Sequence, residues 1–400
     1  MKENSTIKER SQELAQLFFK LGIIGFGGPA AHIAMMEEEV VERRQWLTRE
    51  HFLDLVGATN LIPGPNSTEM AIHLGYSYGG VMGLAVAGFC FITPAVLITG
   101  ILAWLYVSFG TLPKFSPLLY GIKPAVLAVI AGALWRLGRK AIKSRSLLSI
   151  AGLAIGLLLL GLNEVLALLI GGIVGMLWLQ LKSPPDRLAE LAIASLNITV
   201  AGRTIAASTE VTTPALWQLG LVFLKVGAIL FGSGYVLIAF LEGELVGQGW
   251  LTQQQLLDAI AIGQFTPGPI LSTATFIGYI ILGVPGAIAA TLGIFLPSFL
   301  LVAILNPIVP LLRRSPWSAA FLDAVNASAV ALMIVVTVRL AGTIFGQPHF
   351  GLPFDPIAFA IAIFSAIALF RFRLNAVWLV LGGAAIGFLS SLIIDTLQLN

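Results

Sequence analysis

Long stretches of this chain are apolar with almost no polar interruption. Val81–Val107 holds no charged residue, and a helix of that length can cross a hydrocarbon layer of about 30 Å. Further apolar helices are predicted near Pro117–Trp135, Leu147–Leu162, Val165–Leu181, Val284–Ile304, Trp317–Val338, Pro356–Phe370 and Leu374–Ile394. The period-two alternation of strands is absent, so helices rather than a barrel must satisfy the backbone inside a bilayer. Four other segments are interrupted. Leu14–Phe26 runs into Gly27-Gly28-Pro29, and helix-like sequence resumes through Met36. The missing N–H of a proline is not needed in a first helical turn. A segment from Phe52 is broken by Pro63-Gly64-Pro65 and restarts at Asn66. In the same way Leu216–Leu230 meets Gly232-Ser233-Gly234, and Leu256–Phe265 meets Pro267-Gly268-Pro269.

The interruptions recur because the chain repeats itself. Lys20, Phe26-Gly27-Gly28-Pro29, Glu37, Glu39, Trp46-Leu-Thr48, Asp54, Asn60 and Pro63-Gly-Pro65 return in order as Lys225, Phe231-Gly232-Ser233-Gly234, Glu242, Glu244, Trp250-Leu-Thr252, Asp258, Gln264 and Pro267-Gly-Pro269. The offset drifts only from 205 (Lys20, Lys225) through 204 (Pro63, Pro267) to 203 (Gly80, Gly283). Two such repeats in an apolar chain are the mark of a transporter built from similar halves around a shared site. The predicted division is a first membrane repeat over residues 1–182, a linker over 183–212 and a second repeat over 213–400. The expected fold is all-α and polytopic, with discontinuous helices at the Gly/Pro breaks. The repeats are expected to be inverted, because Arg136, Arg139, Lys140, Lys143 and Arg145 occupy one loop of the first half while Arg313-Arg314 occupy a different loop of the second.

Composition agrees. Of 400 residues 57% are hydrophobic and 11% charged, against about 25% charged in soluble domains. The opening residues are polar and mixed in charge, and no cleavable signal peptide is expected ahead of the first apolar run. A lone Cys90 excludes an internal disulfide and a cysteine metal cluster. A net charge of +3 spread among loops gives no support for nucleic-acid binding. Zincin, nucleophile-elbow and Walker signatures are missing, so no enzyme, cofactor or metal is predicted. Gly25–Ala30 fits a dinucleotide-binding spacing, but without a preceding strand the match is accidental.

The breaks are the candidate site. A half-helix N-terminus offers free N–H groups and about half a positive charge, and glycine lets an anion approach. Phe26, Gly27, Gly28 and Pro29 therefore suit an oxyanion, as do Phe231, Gly232, Ser233 and Gly234. Pro63, Gly64, Pro65, Asn66, Ser67 and Thr68 form the second kind of break, matched by Pro267, Gly268, Pro269, Ser272 and Thr273. Asn60 and Gln264 precede these breaks as ligand contacts or inter-helix glue. Lys20 and Lys225 lie in apolar stretches and either neutralise the anion or snorkel; Lys123, without a counterpart, is read as snorkelling. Glu37, Glu39, Glu242 and Glu244 are candidates for ion coupling, against the reading of a solvated helix end. Residues two apart do not share a helix face, so one of each pair at most should point inward. Asp54 and Asp258 read as helix-start acids. Glu69, His32 and His73 occur only in the first half, an asymmetry expected where one half couples to an ion; His32 reads as a satisfied core histidine.

Phe26-Gly-Gly-Pro-Ala with Glu37, the Trp46-Leu segment and Pro63-Gly-Pro-Asn resemble the chromate ion transporter family in its long, two-domain form. The resemblance covers both halves. It implies a multi-pass protein of a bacterial or archaeal inner membrane, a secondary transporter that moves chromate outward and confers resistance, with oppositely oriented halves and with the isosteric sulfate competing. Chromate or a sulfate-like oxyanion and membrane lipid are the expected partners, with protons as the coupling ion; a homodimer is compatible. The second half departs from the pattern at Ser233-Gly234 and at Ile270, which stands where the first half has Asn66. A passive oxyanion or anion channel, a sulfate-type oxyanion importer and a non-transporting membrane sensor or scaffold are the alternatives.

Overall fold

A computed structural model describes residues 7–26, 28–59, 62–109, 116–181, 213–231, 234–305, 315–346, 354–372 and 374–398. The linker over 183–212 lies outside the described residues, as do four expected site residues, Gly27, Asn60, Gly232 and Ser233. Among the described residues every regular element is helical. The first half comprises α1 (Ile7–Ile24), α2 (Pro29–Glu37) running into a π-helical segment (Glu38–Arg43), α3 (Arg49–Thr59), α4 (Asn66–Phe109), α5 (Ser116–Ala141), α6 (Arg145–Leu159) and α7 (Glu164–Leu181). The second repeats the order as α8 (Leu216–Ile229), α9 (Leu237–Leu241) with its π-helical segment (Glu242–Val246), α10 (Gln253–Phe265), α11 (Thr273–Leu305), α12 (Pro316–Phe345), α13 (Pro356–Phe372) and α14 (Ala376–Gln398). Among the described residues, five helices are long and apolar enough to cross a membrane: Asn66–Phe109, Pro117–Ala141, Glu164–Leu181, Ile270–Ile304 and Pro316–Phe345.

Each half opens with a helical hairpin. α1 ends before the glycine break, and α2 turns back so that Lys20 meets Glu39 and His32 meets Gly25. α8 and α9 do the same, with Lys225 meeting Glu244. α4 and α11 are each bent at a glycine. Gly80 (φ 62, ψ −150) and Gly283 (φ 63, ψ −149) hold a backbone conformation that only glycine adopts readily. The chain then doubles back so closely that a methyl at Gly75 would strike the Gly83 carbonyl, and one at Gly278 the Gly286 carbonyl.

The halves interlock. α5 packs on α13 and α14, and α12 packs on α6 and α7. The crossings use small residues: Gly121 against Gly383 and Gly387, and Gly171, Gly172 and Gly175 against Ser328, Val325 and Ala324. Absent side chains let helix backbones approach where lipid offers no hydrophobic drive. Two pairs of equivalent helices, α4 with α11 and α5 with α12, lie antiparallel. Gly88 faces Phe299 while Gly100 approaches Thr275, and the end of α5 meets the start of α12 through Lys143 and Asp323 at 3.1 Å. The apolar surface faces outward: Val284, Ile288, Leu292, Leu296, Leu300 and Ile304 form an exposed i, i+4 stripe along α11, as a lipid-facing helix requires.

Candidate functional site

The two kinds of break meet at the centre, each across the halves. The Gly64 N–H donates to the Leu230 carbonyl at 2.6 Å, and the Gly268 N–H donates to the Gly25 carbonyl at 2.7 Å. Each first helix thus ends by handing an orphan carbonyl to the other half's Pro-Gly-Pro break. Inside a membrane an unpaired backbone group costs several kcal/mol, so the cross-pairing holds the breaks closed and joins the repeats. It also uses N–H groups that the sequence pattern offers to an anion.

The flanks of the two breaks differ. Beside Gly268, the Thr99 hydroxyl donates to Ser272 at 3.2 Å and lies 3.4 Å from the Thr266 hydroxyl, and Ala95 stands against the glycine. Thr273 bonds the Ile270 carbonyl at 2.8 Å. Gly234 packs against Ile270, and Gln264 accepts from Tyr235. Beside Gly64 stand Thr68, Glu69 and Ser298, all fully buried. Ser67 is buried nearby, while Asn66 lines a cavity of about 410 Å³ with Thr59, Lys140, Lys143, Asp323 and Asn326. Asn66 is the first residue of α4, so that helix presents its positive end to this cavity. At the first hairpin's tip, Gly28 (φ 81) caps α2 with open space where a Cβ would stand, and Phe26 is exposed.

Both expected lysines already have partners. Lys20 pairs with Glu39 at 3.2 Å and Lys225 with Glu244 at 2.6 Å. Arg43 and Arg44 also reach Glu39, each at 3.3 Å. Burial raises the Glu39 carboxyl, but the bonds and charges of Lys20 and Arg44 outweigh it and hold Glu39 below the usual carboxylate range. Glu37 pairs with Arg49 at 3.3 Å, and Glu242 accepts from Gln253 at 3.4 Å and faces Arg339.

Three sequence expectations need correction. Glu242 and Glu244 are both buried, although ordinary helix geometry would turn one outward; the π-helical segment widens the turn and brings both inside. Asp258 is no helix-start acid. Thr252 caps α10, accepting from the Gln255 N–H at 3.1 Å, and Asp258 sits mid-helix. Lys123 does not snorkel: it is buried and pairs with Asp258 at 3.3 Å, with Tyr106 donating to the same carboxylate at 2.8 Å. This group lines a second cavity, of about 320 Å³. His32 is a buried core histidine held to the Gly25 carbonyl at 2.9 Å through Nε2, but its Nδ1 is buried without a hydrogen-bond partner, so it is satisfied on one side only. Lys140, Asn326 and Thr99 were not candidates from sequence, since nothing local marks a polar residue that another helix will bring to a break.

Paired broken helices, interlocked repeats and an outward apolar surface define a multi-pass membrane protein of transporter type. The family described as Chromate transporter matches residues 12–176 and 217–388, and the chain belongs to it. It is 34% identical over 336 residues to a chromate transport protein of Cupriavidus metallidurans, covering 82% of each chain. It is 34% identical over 332 residues to a probable chromate transport protein of Synechococcus elongatus, covering 82% of this chain and 84% of that one. A chromate transport protein of Pseudomonas aeruginosa is 32% identical over 338 residues, 82% and 80% of the two chains. No solved structure matches.

Proposed function

We propose that the chain is a secondary transporter, not an enzyme, that moves chromate outward across the inner membrane, with sulfate competing for the same site. The observation that carries this reading is the docking of each Pro-Gly-Pro break on the other half's first helix, beside a cavity into which α4 opens. There the α4 N-terminus, Asn66 and Asn326 offer hydrogen bonds to a tetrahedral dianion, while Lys140 and Lys143 against Asp323 leave one positive charge in surplus. The breaks at 26–29 and 231–234 are the second element of the site, exposed when the cross-pairs open. The antiparallel packing of equivalent helices supports inverted repeats over 1–182 and 213–400, and alternating access follows if the cross-paired breaks separate on one side at a time. A carboxyl couples the cycle to protons; Glu37, Glu39, Glu242 and Glu244 were the candidates from sequence, and all four are engaged in ion pairs or hydrogen bonds.

Proteoliposomes loaded with labelled chromate or labelled sulfate, under imposed pH gradients, test this. Saturable flux, mutual competition and movement against a concentration gradient are expected. Flux that never saturates and only runs downhill would make the protein a passive channel.

A further inference from the structure

Glu69 stands apart among the carboxyls of the described residues. It lies in the first turn of α4, fully buried, and neither of its oxygens has a hydrogen-bond partner. No cation pairs with it among the described residues, whereas Glu39, Glu244 and Asp258 each hold a lysine. Its Oε1 presses on Gly64 so closely that a Cβ there would collide with it, and Ser298 Oγ, itself without a partner, would lie 2.6 Å from that Cβ. The enclosure is therefore built from both halves: Gly64 is tied to Leu230, and Ser298 belongs to α11. At the other break the helix start carries Ser272 and Thr273, and Thr99 closes the space with hydroxyl bonds.

An ionised carboxylate enclosed without a partner is prohibitively expensive, while the neutral acid is tolerated. A metal cation would need several oxygen ligands, and the side chain is packed directly on a glycine backbone. None of the charged and titratable side chains on the surrounding elements hydrogen-bonds to it. His73 lies one turn further along α4; Asp54 is on α3; His32, on α2, holds Gly25; Lys20, on α1, holds Glu39; Asp258, on α10, holds Lys123; and α11 offers only Tyr279. We infer that Glu69 is the residue that carries the coupling proton: it takes one up before the breaks can close over it and loses it when the halves part and water enters. Asn66 is one helical turn away, so a bound dianion and an ionised Glu69 repel each other. The proton and the oxyanion are accordingly bound together, and the pair carries one net negative charge, so an inside-negative membrane potential drives it outward while an imposed pH gradient draws it toward the alkaline side. This rests on the transport reading for its consequence, though not for the protonation itself.

The test uses the full chain in proteoliposomes with labelled chromate. In the wild type, chromate exchange at equal pH on both sides should fall as pH rises, approaching tenfold per unit once Glu69 ionises. Glu69→Gln, permanently neutral, should exchange chromate at a rate independent of pH and lose accumulation driven by a pH gradient. Retention of both the pH profile and the pH-driven accumulation by Glu69→Gln overturns the inference, as does accumulation driven by a sodium gradient instead. Infrared difference spectra of the purified protein give a readout free of transport. The wild type should show the carbonyl band of a protonated, weakly hydrogen-bonded carboxyl at neutral pH. Glu69→Gln should remove that band, and Glu69→Asp should move it if the glutamine variant fails to insert. An unchanged band in the variant, or none in the wild type, rejects Glu69 even if chromate transport is real. Absent chromate and sulfate flux in the wild type, with the band present and lost in the variant, rejects the transport reading instead.

Discussion

Lys123 and Asp258 provide the sharpest energetic test of how the halves are joined. Their side chains are 10% and 3% exposed, and they connect α5 of one half to α10 of the other. Lys123→Met strips the cation from a carboxylate left with Tyr106 as its partner. Asp258→Asn leaves a buried ammonium without its counter-charge. Breaking a buried pair from one side destabilises by about 3–5 kcal/mol, because the surviving charge stays desolvated. Removing both charges leaves neither penalty, so the Lys123→Met/Asp258→Asn double variant should lie within about 1.5 kcal/mol of the parent, the tolerance of a similar-volume swap. The predicted coupling energy is then about 4.5 kcal/mol or more, above the usual range for contacting residues. Reversible unfolding in mixed detergent micelles, followed by tryptophan fluorescence and circular dichroism, measures all three variants. Single variants that each cost less than about 1 kcal/mol and simply add in the double variant would show that Lys123 reaches water after all, and the reasoning about this pair would be wrong.

Other expectations are equally open to measurement. Asn66→Ala and Lys140→Met should each raise the chromate concentration for half-maximal flux by an amount matching about 1.5–3 kcal/mol, roughly 10- to 150-fold; unchanged values would place the anion elsewhere. Lys20→Met should leave that concentration nearly unchanged, since Lys20 is spent on Glu39; a large rise not seen in Glu39→Gln would return the lysine to the anion site. Gly80→Ala forces a side chain into a glycine-only conformation and should destabilise by about 1–3 kcal/mol in the same unfolding assay, with no effect predicted if α4 is straight. The Glu39 carboxyl is held below its ordinary value. Its contribution to stability is therefore present above the ordinary carboxylate range and lost as pH falls through the lower folded value; Glu39→Gln should flatten that acid-side loss.

What the sequence determined by itself was local and periodic. Uninterrupted apolar runs require helices across a membrane, and glycine and proline at 27–29, 63–65, 234 and 267–269 require those helices to break, because such residues remove side chains, donors or allowed backbone angles. The doubled order of Lys, Glu, Trp-Leu-Thr and Pro-Gly-Pro required two alike halves, and the motif at Phe26–Ala30 pointed to the family. The partners were decided only in three dimensions. The Gly64 and Gly268 N–H groups look free in the sequence, yet antiparallel packing delivers a carbonyl of the opposite half to each. Lys123 found Asp258, and Tyr106 joined them, across 152 residues in the case of the tyrosine. Glu242 and Glu244 both turned inward because a π-helical segment replaced the regular turn. Glu69 could be singled out in the sequence as lacking a counterpart, but not as enclosed. That depended on Ser298 and the Gly64–Leu230 bond, and a side chain's solvation is a property of everything packed around it, which no local pattern encodes.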